Sequence, residues 1–250
     1  MARAAIEGTS VPLELIRRYA RKGPPTVEFR DDRRFVGLAV TRRTEYFGFE
    51  LDRSRQPLEG TVPPELAEQA RDALAQAVVE DLTPHPDQRK ITRAVTRVDE
   101  YWRRSGGRLK EASPEARLKA IRAQLSSVND WPSFVGTRLE LDPEVVVPEA
   151  TRASLDALPS SVQLDGDRVA LSYEMENGNA VAVIHLREGQ ARRLRKGSLP
   201  PVDRPMRFAI THGRSVFRAE SIDEAVRALR SLPREREPKH GKHRRNKRRR

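Results

Sequence analysis

Between residues 158 and 186 apolar and polar positions alternate more regularly than anywhere else in the chain. Asp165-Gly166 is a tight-turn dipeptide separating Val162-Gln163-Leu164 from a run over 168–174. In that run Val169, Leu171 and Tyr173 alternate with Ala170, Ser172 and Glu174, so one face is apolar and the other small or polar. Asn177-Gly178 supplies a second turn, and 180–186 is an almost continuous apolar run, as suits a central strand. The pattern predicts an antiparallel β-meander, about the smallest sheet that is stable by itself.

The same reading along the rest of the chain predicts an α+β fold. Its parts are a small N-terminal β unit, a central helical region, the antiparallel β-meander, a C-terminal helix and a disordered basic tail. Residues 1–60 hold a short amphipathic helix over 13–19 and strands over 27–30, 35–41 and 45–51, with Asp31-Asp32 and Arg42-Arg43 at the turns. Residues 61–132 hold three helices. Pro63-Pro64 opens the first, whose Leu66, Ala70, Leu74, Ala77 and Val78 share one face. His85-Pro86 breaks the chain, and Asp87 is placed to cap a second helix that Gly106-Gly107 stops. Ser113-Pro114 starts the third. Residues 133–233 form the antiparallel β domain: strands or extended chain over 134–141 and 145–147, the meander, a basic turn or short helix over 190–198, and a hairpin around His212-Gly213-Arg214. A last helix follows, with Ser221 and Glu224 as a capping box. Residues 234–250 read as disordered.

Composition narrows the possible functions. Only 37% of residues are hydrophobic, so the core is lean. The absence of cysteine removes disulfide, thiolate–metal and cysteine-nucleophile chemistry. No apolar run approaches the roughly 20 residues that span a bilayer, and Glu7, Gly8 and Thr9 interrupt any signal peptide, so a cytoplasmic protein with no membrane partner is expected. Of the 48 basic residues 40 are arginine, an imbalance associated with GC-rich bacterial genomes. Of the net charge of +12, eight units are Lys239, Lys242, Arg244, Arg245, Lys247, Arg248, Arg249 and Arg250, with no acid among 239–250. Residues 1–238 therefore carry only +4.

Catalytic motifs are sparse. The one Gly-Lys pair, Gly241-Lys242, is followed by His243, so there is no phosphate-binding P-loop. Asp223-Glu224-Ala225-Val226 looks like the acidic box of a helicase motor, but it opens an amphipathic helix where acids suit the first turn. His185 reads as a structural histidine in an apolar strand, and Glu140 and Asp142 form a carboxylate pair without a third metal ligand. No cofactor is expected. The basic clusters carry more: Lys and Arg at this density neutralise phosphates by counterion release without reading sequence. Arg103, Arg104 and Arg108 flank the Gly-Gly stop, and Arg192, Arg193, Arg195 and Lys196 follow the third meander strand. With the tail they form a backbone-binding set.

HPDQRKITRAVTRVDEYWRRSGG, residues 85–107, and LPSSVQLDGDRVALSYEMENG, residues 158–178, resemble segments that follow the motor core in bacterial DEAH-box RNA helicases. The similarity covers about residues 83–194, and the family's motor domains and ATP-handling motifs are missing. The resemblance implies an accessory module that contacts RNA and packs against a motor, whether as a detached C-terminal piece, a free-standing relative or a split-gene product. The expected function is non-catalytic binding of nucleic acid, RNA in particular, with a helicase motor or ribosomal component as further partner. Two alternatives stay open: an assembly factor whose tail aids solubility or localisation, and a metal-dependent nuclease using Glu140, Asp142 or His185.

Overall fold

The structure, a computed structural model, describes residues 13–194, 199 and 202–231. The α+β fold divides into two compact units, Met1–Trp102 with Leu109–Arg152, and Arg103–Arg108 with Ala153–Arg250.

The first unit begins with α1 (Leu13–Tyr19) and a sheet of β1 (Arg21–Lys22), β2 (Thr26–Asp32), β3 (Phe35–Tyr46) and β4 (Phe49–Pro57). β3 is its spine. β2 and β1 pair in succession along β3, through Thr26↔Thr41 to Asp32↔Phe35 and then Arg21↔Glu45, and β4 also pairs with β3. The Val27 amide donates to Gln69 Oε1 at 3.1 Å. Leu38, Ala39, Val40 and Thr41 are buried where β3 lies between β2 and β4. Beyond Thr41 the strand is exposed or half-buried. That solvation misleads a sequence reading. Arg42 and Arg43 do not form a turn but pair with Ser54 and Arg53, and the chain reverses at Phe47-Gly48, so 45–51 is not one strand.

After a 3-10 turn at Pro64–Leu66 come α2 (Ala67–Val79), α3 (Gln88–Arg104), α4 (Pro114–Gln124), α5 (Trp131–Gly136), α6 (Pro143–Val146) and α7 (Glu149–Asp156). Leu74, Val78, Ile91, Ile121, Leu125 and Phe134 are fully buried. The Ser113 hydroxyl caps α4 by accepting the Ala116 amide at 3.2 Å, as its position predicts. Asp87 stands at the cap of α3 as its position predicts, its carbonyl accepting the Lys90 and Ile91 amides, and its carboxylate also accepts the Leu139 amide at 3.0 Å. Neither 134–141 nor 145–147 forms a strand: α5 takes 134–136 and α6 takes 145–146, while 137–141 is connecting chain, the alternative the sequence left open. Asp130 and Ser133 form a capping box on α5, and Asp142 accepts the Glu144 amide at 2.8 Å to start α6. An acid followed by proline near the first helical position outweighs the strand preference of a short valine run.

In the second unit β5 (Ser161–Leu164), β6 (Asp167–Glu176) and β7 (Asn179–Arg187) form the expected meander. Its turn residues Asp165 and Asn177 have φ of 47° and 51°, each followed by glycine, the geometry that matches strand twist. α8 (Glu188–Arg193) leads on to β8 (Met206–His212), β9 (Ser215–Ala219) and α9 (Ile222–Ser231). The hairpin β8–β9 joins the meander in one five-stranded sheet, with β7 and β8 parallel through Ala182↔Met206 to Arg187↔Thr211. The domain is therefore mixed rather than wholly antiparallel. One sheet face, including Leu171, Ile184 and Ile210, packs with Ala191 of α8 and Ala225 and Leu229 of α9. Glu224 donates its amide to Ser221 Oγ at 3.2 Å, so the acids at 223–224 belong to a helix start.

Candidate nucleic-acid interface

In the first unit, the outer half of the β3–β4 hairpin is a solvated ribbon rich in arginine and tipped with aromatic rings. Arg43 and Arg53 stand opposite each other, a repulsive cross-strand pair that Glu50 relieves at 3.7 and 2.8 Å. The hydrogen bond from Arg53 holds the Glu50 carboxyl below its ordinary pKa. Arg55 pairs with Glu28 at 3.2 Å and Arg42 reaches Gln56 at 3.5 Å. Arg17, Arg18, Arg21 and Lys22 form no ion pair among the described residues. At the tip Tyr46 pairs across from Phe49, and the Tyr46 and Phe47 rings meet edge to face at 4.8 Å. Phe47 is 87% exposed, Phe49 73% and Tyr19 67%. Tyr19, Arg21, Tyr46 and Phe47 line one cleft of about 670 Å³. Sequence reasoning missed this ribbon because Arg42-Arg43 looked like a turn; Phe47-Gly48-Phe49 was the signal available.

The basic residues singled out by sequence fare differently. Arg104 is 8% exposed. Its Nη1 donates to the carbonyls of Leu155 at 2.8 Å and Leu158 at 3.2 Å, and its guanidinium lies over the Tyr173 ring. Arg204 lies over the same ring at 4.9 Å and donates to the Arg104 carbonyl at 3.0 Å. Both arginines are framework for the second unit. Arg103 is half-buried in the last turn of α3. Arg108 is exposed and donates to the Ser105 carbonyl at 3.0 Å. Arg192 bonds Glu188 and the Leu229 carbonyl. Arg193 is exposed and paired with Asp167 at 2.8 Å, on an open surface. Arg195, Lys196 and the eight bases of 239–250 lie outside the described residues.

Each of the histidines and acids considered for catalysis makes a contact within the fold. His185 Nε2 lies 2.7 Å from Ser172 Oγ on the sheet face opposite the core cluster. His212 Nδ1 meets Glu188 at 2.5 Å, and Glu188 is drawn below its usual pKa first by Arg192 and then by His212. His85, read from sequence only as a break, is a buried post. Its Nδ1 accepts the Asp87 amide at 3.1 Å, which leaves Nε2–H directed at the carbonyls of Phe134 and Thr137, each at 3.1 Å. Glu140 pairs with Lys90 and Arg138, whereas Asp142 caps α6. No group of three or more potential metal ligands is assembled among the described residues. No helix there is long and apolar enough to cross a membrane.

No protein-family model matches the sequence, and neither does any curated protein. Two solved structures of a helicase-class protein show a weak likeness. Both are of Escherichia coli HrpB. One, described as a DExH-box NTPase, has a TM-score of 0.28 and 17% identity over 85% of this chain and 27% of that one. The other, described as a DEAH/RHA helicase, has a TM-score of 0.30 and 16% identity over 76% and 24%. This chain thus spans about a quarter of the length of either. A likeness of this size fixes neither fold nor activity.

Proposed function

We propose that this chain is a non-catalytic nucleic-acid-binding module, with RNA as its ligand, of the kind that accompanies a DEAH-box helicase motor. The uneven charge carries the reading: eight of twelve net positive charges lie within 239–250, where no acid offsets them. Such a segment binds phosphates by releasing counterions, whatever the base sequence. The resemblance of 85–107 and 158–178 to helicase accessory segments supports RNA as the polymer and a motor as the partner. The folded units then serve as the body that positions this charge.

The test is RNA binding at several salt concentrations by the full chain and by a chain truncated after Pro238. Each cation withdrawn from a phosphate lowers the log–log salt slope by about 0.7 on single strands. Truncation is expected to weaken binding and to reduce the slope by about 3 to 5. Unchanged affinity and slope refute the assignment. Recovery of a protein partner that survives nuclease treatment, without RNA binding by the isolated chain, favours an assembly factor instead.

A further inference from the structure

Three hairpins in this chain turn on two residues that include a positive-φ residue followed by glycine. Two use Asp165-Gly166 and Asn177-Gly178, the pairs such turns prefer. The third uses Phe47-Gly48, with φ of 48° and 81°. Phenylalanine is poorly suited to the left-handed region, where its Cβ crowds the backbone and its side chain offers no hydrogen bond in return. The residue in this strained position is also among the most exposed apolar residues described. Local folding alone favours asparagine there. Strain held at an exposed ring points to a use for the ring.

The surroundings say what the ring meets. Tyr19, Arg21, Glu45 and Tyr46 share its cleft, and Phe49 stands directly across from Tyr46. Along α1, β1 and the outer hairpin there are Arg17, Arg18, Arg21, Lys22, Arg42, Arg43, Arg53 and Arg55 against Glu14, Glu45, Glu50 and Asp52, with Glu28 of β2 as the partner of Arg55. Positive charge is therefore in excess. Arg17, Arg18, Arg21 and Lys22 have no acidic partner among the described residues. Exposed ring faces among arginines are the chemistry that holds single-stranded nucleic acid: bases stack on the rings and cations follow the phosphates. A duplex presents its phosphates but hides its base faces, so the rings add nothing there.

We infer that the Tyr46–Phe49 hairpin tip, with Tyr19 and Arg21, is a stacking site for unpaired bases of single-stranded nucleic acid. This deepens the proposed function and rests on it. The tail attracts any nucleic acid, whereas the tip selects strands whose bases are free.

The experiment measures binding of a short fluorescein-labelled oligouridylate, and of a duplex of equal length, by the full chain and three variants. Phe47→Asn places the preferred residue in the turn, so its Tm should equal or exceed that of the wild type. It should nevertheless bind the single strand about 5- to 150-fold more weakly, the range one lost base stack accounts for. Phe47→Ala/Phe49→Ala should lose at least as much. Phe47→Trp should keep wild-type affinity, with its indole fluorescence quenched by an unlabelled single strand. Duplex affinity should be unchanged throughout. Equal loss on duplex and single strand, or no loss in the folded Phe47→Asn protein, overturns the stacking site and leaves the tail assignment standing. A wild-type dimer that Phe47→Asn converts to monomers, with RNA affinity unchanged, overturns it in favour of self-association. No binding of either probe by the full chain overturns both readings.

Discussion

The guanidinium carbon of Arg104 lies 5.7 Å from the centroid of the Tyr173 ring. Arg104 belongs to 85–107 and Tyr173 to 158–178, the two stretches that resemble helicase accessory segments. Arg104 and Tyr173 are far apart in sequence, yet both belong to the second unit and meet there. Tyr173 donates its hydroxyl to the Pro159 carbonyl at 3.0 Å, and Arg104 reaches the Leu158 carbonyl next to it. What looked like a phosphate-binding Arg-Arg is, at its second position, a structural pin.

Arg104→Ala removes donors from the carbonyls of Leu155 and Leu158 and removes a cation from the Tyr173 ring. Hydrogen bonds to a charged group contribute about 1.5–3 kcal/mol, so unfolding in urea should show a loss of about 2–4 kcal/mol. Arg104→Lys should recover only part of it, because an ammonium cannot present the planar fork. A loss below about 0.5 kcal/mol would return Arg104 to the pool of free surface charges.

Burial holds the Tyr173 hydroxyl above its ordinary pKa, with Arg204 and Arg104 opposing more weakly. A raised folded-state pKa means a contribution that is complete below the unfolded value of about 10 and lost as pH rises through the folded one. Stability should therefore fall in alkaline solution. Tyr173→Phe should be about 1 kcal/mol less stable at neutral pH, having lost the bond to Pro159, and should decline less steeply above pH 10. Thermal melts across the alkaline range check both.

Glu188 titrates in the opposite sense. Its folded pKa is lowered, first by Arg192 and then by His212, so its contribution is present above the ordinary carboxylate range and is lost as pH falls through the folded value. Glu188→Gln should be less stable than wild type at neutral pH, and the two should converge as the pH falls below the ordinary carboxylate range. A gap that widens on acidification would contradict the network of Glu188, Arg192 and His212.

In the first unit Arg117 is 6% exposed, bonded to Asp99 at 2.7 Å and to the Val95 carbonyl at 3.2 Å. Asp99 is 26% exposed and Arg117 keeps the Val95 carbonyl, so breaking the pair costs less than in a fully buried one. Asp99→Ala should lose about 1–3 kcal/mol in chemical denaturation. The double variant Asp99→Ala/Arg117→Met should recover most of it, since no charge is then left in an apolar site.

Legibility followed where local and tertiary forces agree. Asp165-Gly166 and Asn177-Gly178 fix hairpins whatever surrounds them, and the apolar alternation of β6 leaves one face to bury. Ser113 and Ser221 announced helix starts for the same reason. The failures lie where the pattern has two physical meanings. Arg42-Arg43 is polar because the ribbon is wet on both faces, which imitates a turn. Val145-Val146-Val147 resembles a strand until Asp142 is seen to cap it. Arg104 carries the same formal charge as Arg193, and only the carbonyls brought to it by α7 and the turn after it distinguish a pin from a surface cation. The aromatic tip was hidden inside the misread strand over 45–51.

The parallel pairing of β7 with β8 bears on how the chain reaches its native state. β5, β6 and β7 can close quickly through two tight turns, but β8 cannot add until the connection through α8 has been laid down. In that interval β7, the most apolar of the described strands, is an open edge with unpaired amides and carbonyls. Docking of β8 closes that edge, so the refolding yield is expected to rise as the chain is diluted.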